Sequence, residues 1–196
     1  MARVKMIESK GEVPKGGESA WDEIAQSRGR VAGPFKVLLH SPELAKRIAA
    51  TGAYVRFDGA IPQDTRELAI LTVAREMNSL FEWGGHAPLA RKAGVREDAI
   101  AAIRDGKAPS GLTAQETPVF AYVSQLLRAK RVDESTFRAL EQRFGVVGLV
   151  ELTGLVGHYV TIACTLNAFE VTPRSGDGPA PRLRSPSRMD VREAGT

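Results

Sequence analysis

Residues 64–94 read DTRELAILTVAREMNSLFEWGGHAPLARKAG, and this stretch decides the fold. Its first half is dominated by apolar residues at helical spacing, and Asp64 is placed to cap the predicted helix. A second helical segment runs from Glu82 to Ala93 and ends at Gly94, since glycine is the common residue just beyond a helix C-terminus. The stretch therefore predicts two consecutive helices.

Helical patterns also fill the sequence on both sides of this stretch. Ser41 followed by Pro42 is typical of a helix start, whereas no alternating apolar run bounded by a hairpin turn predicts a strand. The further predicted helices are a short one from near Ser19 and the segments 44–54, 96–105, 113–131, 133–144 and 146–169. We therefore predict an all-α fold, a helical bundle with a single domain over residues 19–172.

The two ends of the chain differ from this domain. Residues 1–18 have no apolar period and predict a flexible N-terminal arm. Residues 173–196 are rich in Pro, Gly, Ser and Arg and predict a mobile basic tail. The tail holds five arginines against three acidic residues, which is half of the net charge of +4. No nucleic-acid-binding motif accompanies it, so we expect no nucleic-acid partner.

The composition is that of an ordinary globular protein, with 43% apolar and 26% charged residues among 196. The single cysteine, Cys164, excludes an intramolecular disulfide and any Cys-x-x-Cys redox or zinc site. The first residues contain no apolar signal-peptide segment, so we expect a cytoplasmic protein.

The segment from Leu152 to Phe169 is eighteen residues without Asp, Glu, Lys or Arg, which is long enough to span a membrane. It also contains polar groups, among them His158 and Asn167, that would be costly in lipid. We therefore favour a buried core helix and expect no membrane partner. Glycines between 145 and 157 would allow close approach of another helix, so a homo-oligomer is expected.

Three carboxylates and one histidine lie on helix faces that are otherwise apolar. Glu67 shares its face with apolar residues three, four and seven positions later, and Glu151 lies at the start of the last apolar helix. Glu82 precedes His86 by four residues, which places both side chains on one face. A carboxylate on such a face is paired or has a raised pKa, and active sites exploit both.

An inward Glu–His pair suits proton transfer, because imidazole titrates near neutral pH and a carboxylate fixes its tautomer. The spacing of Glu82 and His86 could also hold a metal ion, with Glu67 or Glu151 as a third ligand, but no His-Glu-x-x-His motif is present. We therefore predict a site without a metal. His158 is expected to be a hydrogen-bonded core residue.

Two motifs in this stretch resemble those of a known family. They are Arg66-Glu67-Leu68-Ala69-Ile70-Leu71 and Glu82-Trp83-x-x-His86-x-x-x-Ala90-x-x-x-Gly94. Together they resemble the carboxymuconolactone decarboxylase family, which includes the alkylhydroperoxidase D-like proteins, and the resemblance extends over about 33–169. It implies an all-helical subunit that assembles as trimers or hexamers, with a cofactor-free site near the subunit contacts.

The sequence departs from the peroxidase branch of that family. That branch resembles Glu-x11-Cys-x-x-Cys-x-x-x-His, and counting back from His86 places its cysteines at Ser79 and Glu82 and its glutamate at Glu67. Thiol peroxidase chemistry needs a thiolate and a resolving partner, so we predict that this activity is absent. A residual peroxidase activity through Cys164 is a weaker alternative.

For the cysteine-free branch, the resemblance implies a cofactor-independent lyase or isomerase of aromatic-compound catabolism, such as a decarboxylase, acting on a small carboxylated lactone. His86 would transfer the proton at carbon, Glu82 would orient it, and Glu67 would assist. The candidate substrate-binding residues are Trp83, Tyr159 and Ser79.

Arg47, Arg56 and Arg75 are candidates for binding the substrate carboxylate. The alternative function is a non-catalytic, oligomeric small-ligand-binding protein on the same scaffold. An open pocket at the three candidate catalytic residues favours an enzyme, whereas mutual packing without access favours the alternative.

Overall fold

The computed structural model describes residues 2–172, and within that range it contains helices and no strand, which confirms the all-α prediction. A 3-10 turn covers Lys10–Glu12 and a π-helical turn covers Tyr54–Asp58. The α-helices are α1 (Glu18–Arg28), α2 (Phe35–Leu38), α3 (Pro42–Ala53), α4 (Gln63–Glu76), α5 (Leu80–Lys92), α6 (Glu97–Arg104), α7 (Glu116–Arg128) and α8 (Glu134–Ala168). The predicted tail, residues 173–196, lies outside the described residues.

Helix α4 is the centre of the larger core cluster. Residues 67–74 are all buried, because α4 packs against α5, α6, α7 and α8. The predicted cap is wrong: α4 begins at Gln63 after Pro62, and Asp64 lies inside its first turn. There the Asp64 carboxylate accepts a hydrogen bond from the Thr65 backbone N–H at 2.6 Å.

A smaller core cluster joins α1, α2 and α3 to the C-terminal end of α8. The N-terminal segment belongs to this cluster, since Ile7 and Val13 are buried in it. The Arg3 backbone N–H also donates to the Phe169 carbonyl at 2.9 Å. This differs from the predicted flexible arm, because two isolated apolar residues suffice to dock a segment although they show no helical period.

Helix α8 is divided by Gly145, whose φ of 65° and ψ of 177° interrupt the helical backbone. The predicted division between residues 144 and 146 therefore falls at this kink. The second part is long and apolar enough for a membrane span, but half of its apolar window is buried inside the protein. One face of this part therefore belongs to the core, whereas Val146, Val147 and Val150 on the other face are more than 60% exposed.

Replacement of Gly145 tests whether the kink needs glycine. The backbone region that Gly145 occupies is essentially restricted to glycine, so we expect Gly145→Ala to lower the free energy of unfolding by about 1–3 kcal/mol. No heavy atom lies within 4 Å of the point that a Cβ atom would occupy at Gly145, so the loss would arise from backbone strain and not from a clash. Urea denaturation followed by circular dichroism measures it.

The control is Gly85→Ala, at an exposed helical position of α5 where an added Cβ also meets nothing within 4 Å. Its backbone is already helical, so alanine is expected to raise stability by up to about 1 kcal/mol. Equal stabilities of Gly145→Ala and the wild type would contradict the interpretation of the kink.

Candidate active site

A tight turn between α4 and α5 places the two helices side by side. Asn78 adopts a left-handed φ of 51° in this turn. The side-chain amide of Asn167 on α8 donates to the Met77 carbonyl at 2.8 Å and so satisfies an orphan carbonyl at the end of α4. The buried face of α5 therefore meets the buried face of α4, and Glu67 meets His86.

The predicted residues Glu67, Glu82 and His86 come together, and each is at most 7% exposed. His86 Nδ1 lies 2.7 Å from a Glu67 carboxylate oxygen, a buried hydrogen bond. His86 Nε2 lies 3.5 Å from the nearest Glu82 oxygen, so this second contact is too long for a close hydrogen bond. The sequence assigned the orienting role to Glu82, but the short contact that fixes the imidazole belongs to Glu67.

Glu82 and His86 face a cavity, whereas Glu67 lies behind the imidazole and does not line it. Burial raises the pKa of Glu82, although His86 and Arg56 act in the opposite direction. The raised pKa favours a protonated carboxyl beside the imidazole. The pair can therefore hold a proton at the cavity surface.

The backbone of α5 stays helical through Pro88. The helix runs without a break from Leu80 to Lys92, although a proline inside a helix removes one backbone hydrogen bond. Pro88 and Gly85 lie on the exposed face of the helix, whereas Gly84, whose carbonyl Pro88 leaves without its usual helical donor, is buried. The buried face with Glu82 and His86 nevertheless stays helical.

The cavity has a volume of about 520 Å³, within the usual range for small-molecule sites. It lies between the two core clusters, and α5 and α8 form one wall, while the end of α1 and the segment 31–36 form another. Four residues from outside the helices complete it, namely Met6, Glu8, Val171 and Thr172. The candidate catalytic residues are therefore accessible and not sealed by packing.

Of the predicted substrate-binding residues, only Tyr159 lines this cavity. Its ring contacts the His86 ring edge-on at 5.0 Å between centroids. Trp83 is 2% exposed in the larger core cluster. Ser79 is fully buried, and its hydroxyl has no hydrogen-bond partner among the described residues. The structure thus places Trp83 and Ser79 away from the cavity, since both point into the core.

The three predicted arginines separate in the same way. Arg56 lines the cavity, whereas Arg47 pairs with Glu43 on the surface and Arg75 donates to the Arg104 carbonyl elsewhere. The structure adds Arg28 and Arg30, which sequence reasoning missed. Arg28 is the last residue of α1, and Arg30 follows two positions later. In a sequence, an arginine at the end of a helix is explained equally well by its favourable interaction with the helix dipole.

His158 also lines the cavity, and its ring contacts Tyr159 edge-on at 5.2 Å. It has no hydrogen bond within residues 2–172, in contrast to the prediction of a hydrogen-bonded core histidine. Burial lowers the pKa of His158 to about 4, and the nearby charges of Arg28 and Arg56 act in the same direction.

Glu151 lies outside the site. Its carboxylate accepts hydrogen bonds from the Tyr54 hydroxyl at 2.7 Å and from the Ala60 backbone N–H at 2.6 Å. It therefore fixes the π-helical turn and the loop after it. Among residues 2–172, no group of three or more His, Cys, Asp or Glu is arranged to hold a metal ion.

A known family shares the segment that carries the site. Residues 42–125, which include α4 and α5 with all three candidate catalytic residues, match a family model. The model is that of the carboxymuconolactone decarboxylase family. The predicted resemblance is thereby confirmed for that segment. No curated protein matches the chain.

Solved structures with a similar fold cover most of the chain. A peroxidase-related protein of uncharacterised function from Silicibacter sp. TM1040 superposes with a TM-score of 0.71 at 11% identity, over 89% of this chain and 92% of the other. The debrominase Bmp8 in complex with 2,3,4-tribromopyrrole gives 0.70 at 10% identity, over 90% and 96% of the two chains. At these identities the likeness shows the fold alone.

The lowered pKa of His158 predicts a loss of stability in acid. As the pH falls from 6.5 towards 4, the unfolded chain takes up a proton on this imidazole before the folded protein does. The loss of free energy of unfolding that is due to His158 is up to about 3 kcal/mol, and it is complete only below about pH 4. Urea denaturation of the wild type and His158→Gln at several pH values measures it.

As the pH falls from 6.5 to 4, the free energy of unfolding of the wild type should decrease more than that of His158→Gln. The His158 imidazole resonance in a proton NMR titration should have its midpoint near pH 4. A midpoint near 6.5 would show that the ring is not held neutral by its surroundings.

Proposed function

We propose that this chain is a cofactor-independent lyase or isomerase, with decarboxylation of a small carboxylated lactone-type substrate as the specific reaction. The observation that carries the proposal is the Glu67–His86–Glu82 cluster, whose imidazole is fixed from behind at 2.7 Å and faces an open cavity. The match of residues 42–125 to the carboxymuconolactone decarboxylase family supports the same reaction class.

In the proposed reaction, the bond between the substrate carbon and its departing carboxylate breaks, and carbon dioxide leaves. The electron pair moves into the conjugated lactone carbonyl, which acts as the electron sink. The dienolate then takes a proton at carbon from His86, which regains one from Glu82 or solvent. An isomerisation would use the same groups, with a proton removed at one carbon and returned at another.

Each residue has a distinct part in this scheme. His86 exchanges the proton with the substrate through Nε2, the nitrogen that has no close hydrogen bond. Glu67 holds Nδ1 and stabilises the imidazolium form through its negative charge. Glu82, whose pKa is raised by burial, supplies a proton on the cavity side. Tyr159 packs against the imidazole and limits its rotation.

Thiol peroxidase activity is disfavoured in this proposal. Cys164 is an exposed, free cysteine that does not line the cavity. It is the sole cysteine of the sequence, so no resolving thiol exists in the chain. An unchanged reaction in Cys164→Ser would agree with this assignment.

We also propose a homo-oligomer, a trimer or hexamer as the resemblance implies, in the cytoplasm. The exposed face of α8 supports assembly, because the three exposed valines after the kink at Gly145 are followed by the exposed Gly154 and Gly157. Such a face is apolar and allows close helix approach. Light scattering of the purified protein measures the assembly.

The proposed reaction predicts the effects of two substitutions on turnover of 4-carboxymuconolactone, followed by ultraviolet absorbance and released carbon dioxide. His86→Gln should lower kcat by about 100- to 10,000-fold, because it removes the proton-transfer group. Glu67→Gln should lower kcat by a smaller factor, since it keeps a hydrogen-bonding group but loses the charge that stabilises the imidazolium.

Matched controls are His40→Gln and Glu43→Gln. His40 is exposed and contacts the Lys5 carbonyl, and Glu43 pairs with Arg47 on the surface. Both controls should retain wild-type kcat. Turnover by His86→Gln at the wild-type rate would refute the role of His86. Absence of turnover in the folded wild type would exclude this substrate and favour the non-catalytic ligand-binding alternative.

A further inference from the structure

The cavity wall carries more positive than negative charge. Arg28, Arg30 and Arg56 line it, and none of them forms an ion pair with an acidic residue in the described range 2–172. The fourth lining cation, Lys36, is paired with Glu8. A half-buried guanidinium without a carboxylate partner is unusual, because its desolvation is not offset by an opposite charge.

Arg28 is held in a fixed orientation that leaves part of its guanidinium free. Nη1 donates to the Ser27 hydroxyl at 2.9 Å, and Nη2 donates to the Ala49 carbonyl at 3.0 Å. The group also lies 4.4 Å from the centroid of the Phe35 ring. Since a guanidinium has five N–H donors, most of those of Arg28 remain available to a ligand.

Arg56 is freer still. It makes no hydrogen bond to the described residues and lies 5.0 Å from the centroid of the Phe57 ring. Arg28 and Arg56 are close enough to influence one another electrostatically, and both act on His158. Two like charges beside a buried imidazole are mutually repulsive, and an anion between them would relieve that repulsion.

Gly52 makes room for this arrangement. A Cβ atom at this position of α3 would lie 2.5 Å from His158 Nε2 and 2.7 Å from Arg28 Nη2. Both distances are far shorter than van der Waals contact, so any other residue would displace the two side chains. The missing side chain thus allows Arg28 and His158 to meet at one point of the cavity wall.

We propose that Arg28, Arg56 and His158 form a carboxylate-binding subsite in the cavity that His86 faces. The two guanidinium groups would supply charge-assisted hydrogen bonds, and the neutral imidazole would add a donor without further charge. What the subsite binds rests on the proposed function, since the ligand is the carboxylated substrate of that reaction.

The distance between the subsite and the proton-transfer group suits a small substrate. The Tyr159 ring contacts the His86 ring at 5.0 Å and the His158 ring at 5.2 Å between centroids, and both histidines line the cavity. A ligand with a single ring can therefore lie along Tyr159 and reach both histidines. Binding by two guanidiniums stabilises a carboxylate against loss, so the group held here is one that the reaction retains.

Isothermal titration calorimetry with 4-carboxymuconolactone tests the subsite in a His86→Gln background, where turnover is suppressed. Arg56→Gln should raise Kd by about 10- to 100-fold, the loss expected for charge-assisted hydrogen bonds. Arg56→Lys should give a Kd between those of the wild type and Arg56→Gln, because it keeps the charge but loses the planar fork. Arg47→Gln, at an exposed surface pair, is the matched control and should leave Kd unchanged.

Gly52→Ala provides a second test that removes no charged group. It should weaken binding by displacing Arg28 and His158, and circular dichroism with thermal melting shows whether the variant remains folded. Succinate is a second probe, and its binding should respond to Arg56→Gln in the same direction.

The outcomes separate this subsite from the proposed reaction. Binding that depends on Arg56, without turnover in the wild type, would retain the subsite and refute the reaction. Turnover with an unchanged KM in Arg56→Gln would retain the reaction and refute the subsite. Failure of both 4-carboxymuconolactone and succinate to bind would also refute the subsite. The subsite would likewise be refuted if Arg56→Gln dissociated an oligomer but left ligand binding unchanged.

Discussion

The hydrogen bond between Glu67 and His86 is the contact on which the rest of the site depends. It joins the central helix α4 to α5 in a region where both side chains are almost fully buried. A buried carboxylate without a partner is strongly destabilising, so α4 and α5 must keep one relative position. The turn at Asn78 and the contact of Asn167 with Met77 serve that same constraint.

The cavity exists because the two core clusters do not merge at this place. Each cluster is apolar on its own side, but the surfaces that meet between them carry arginines, histidines and Glu82. Burying these charged groups without partners would be costly, so the two clusters do not close over them. The molecule therefore combines a rigid apolar support on each side with a polar, accessible space between, which suits a site for small anionic molecules.

Sequence reasoning located the cluster of Glu67, Glu82 and His86 because its members obey local rules. Glu82 and His86 are four residues apart on one helix, and Glu67 stands out on an apolar face. Trp83 was misplaced for an equally local reason: one residue beyond Glu82 is a rotation of about 100° around the helix, which turns its ring into the core.

The remaining features depend on contacts between distant parts of the chain. Arg28 reaches the site only because α1 packs against α3 and because Gly52 leaves space beside it. No spacing in the sequence connects these two residues. The burial of Ile7 and Val13 was missed for the same reason, since both dock in a groove that other helices create.

The pairing of residues 3 and 168 has a consequence for synthesis. Arg3 donates to the Ala168 carbonyl, a partner 165 positions later, and residues near both positions complete the cavity. Closing so long a loop carries a large entropic cost, and it cannot begin before the later partner exists. On the ribosome, α4 and α5 can associate early, whereas the cavity wall is finished only when almost the entire domain has emerged.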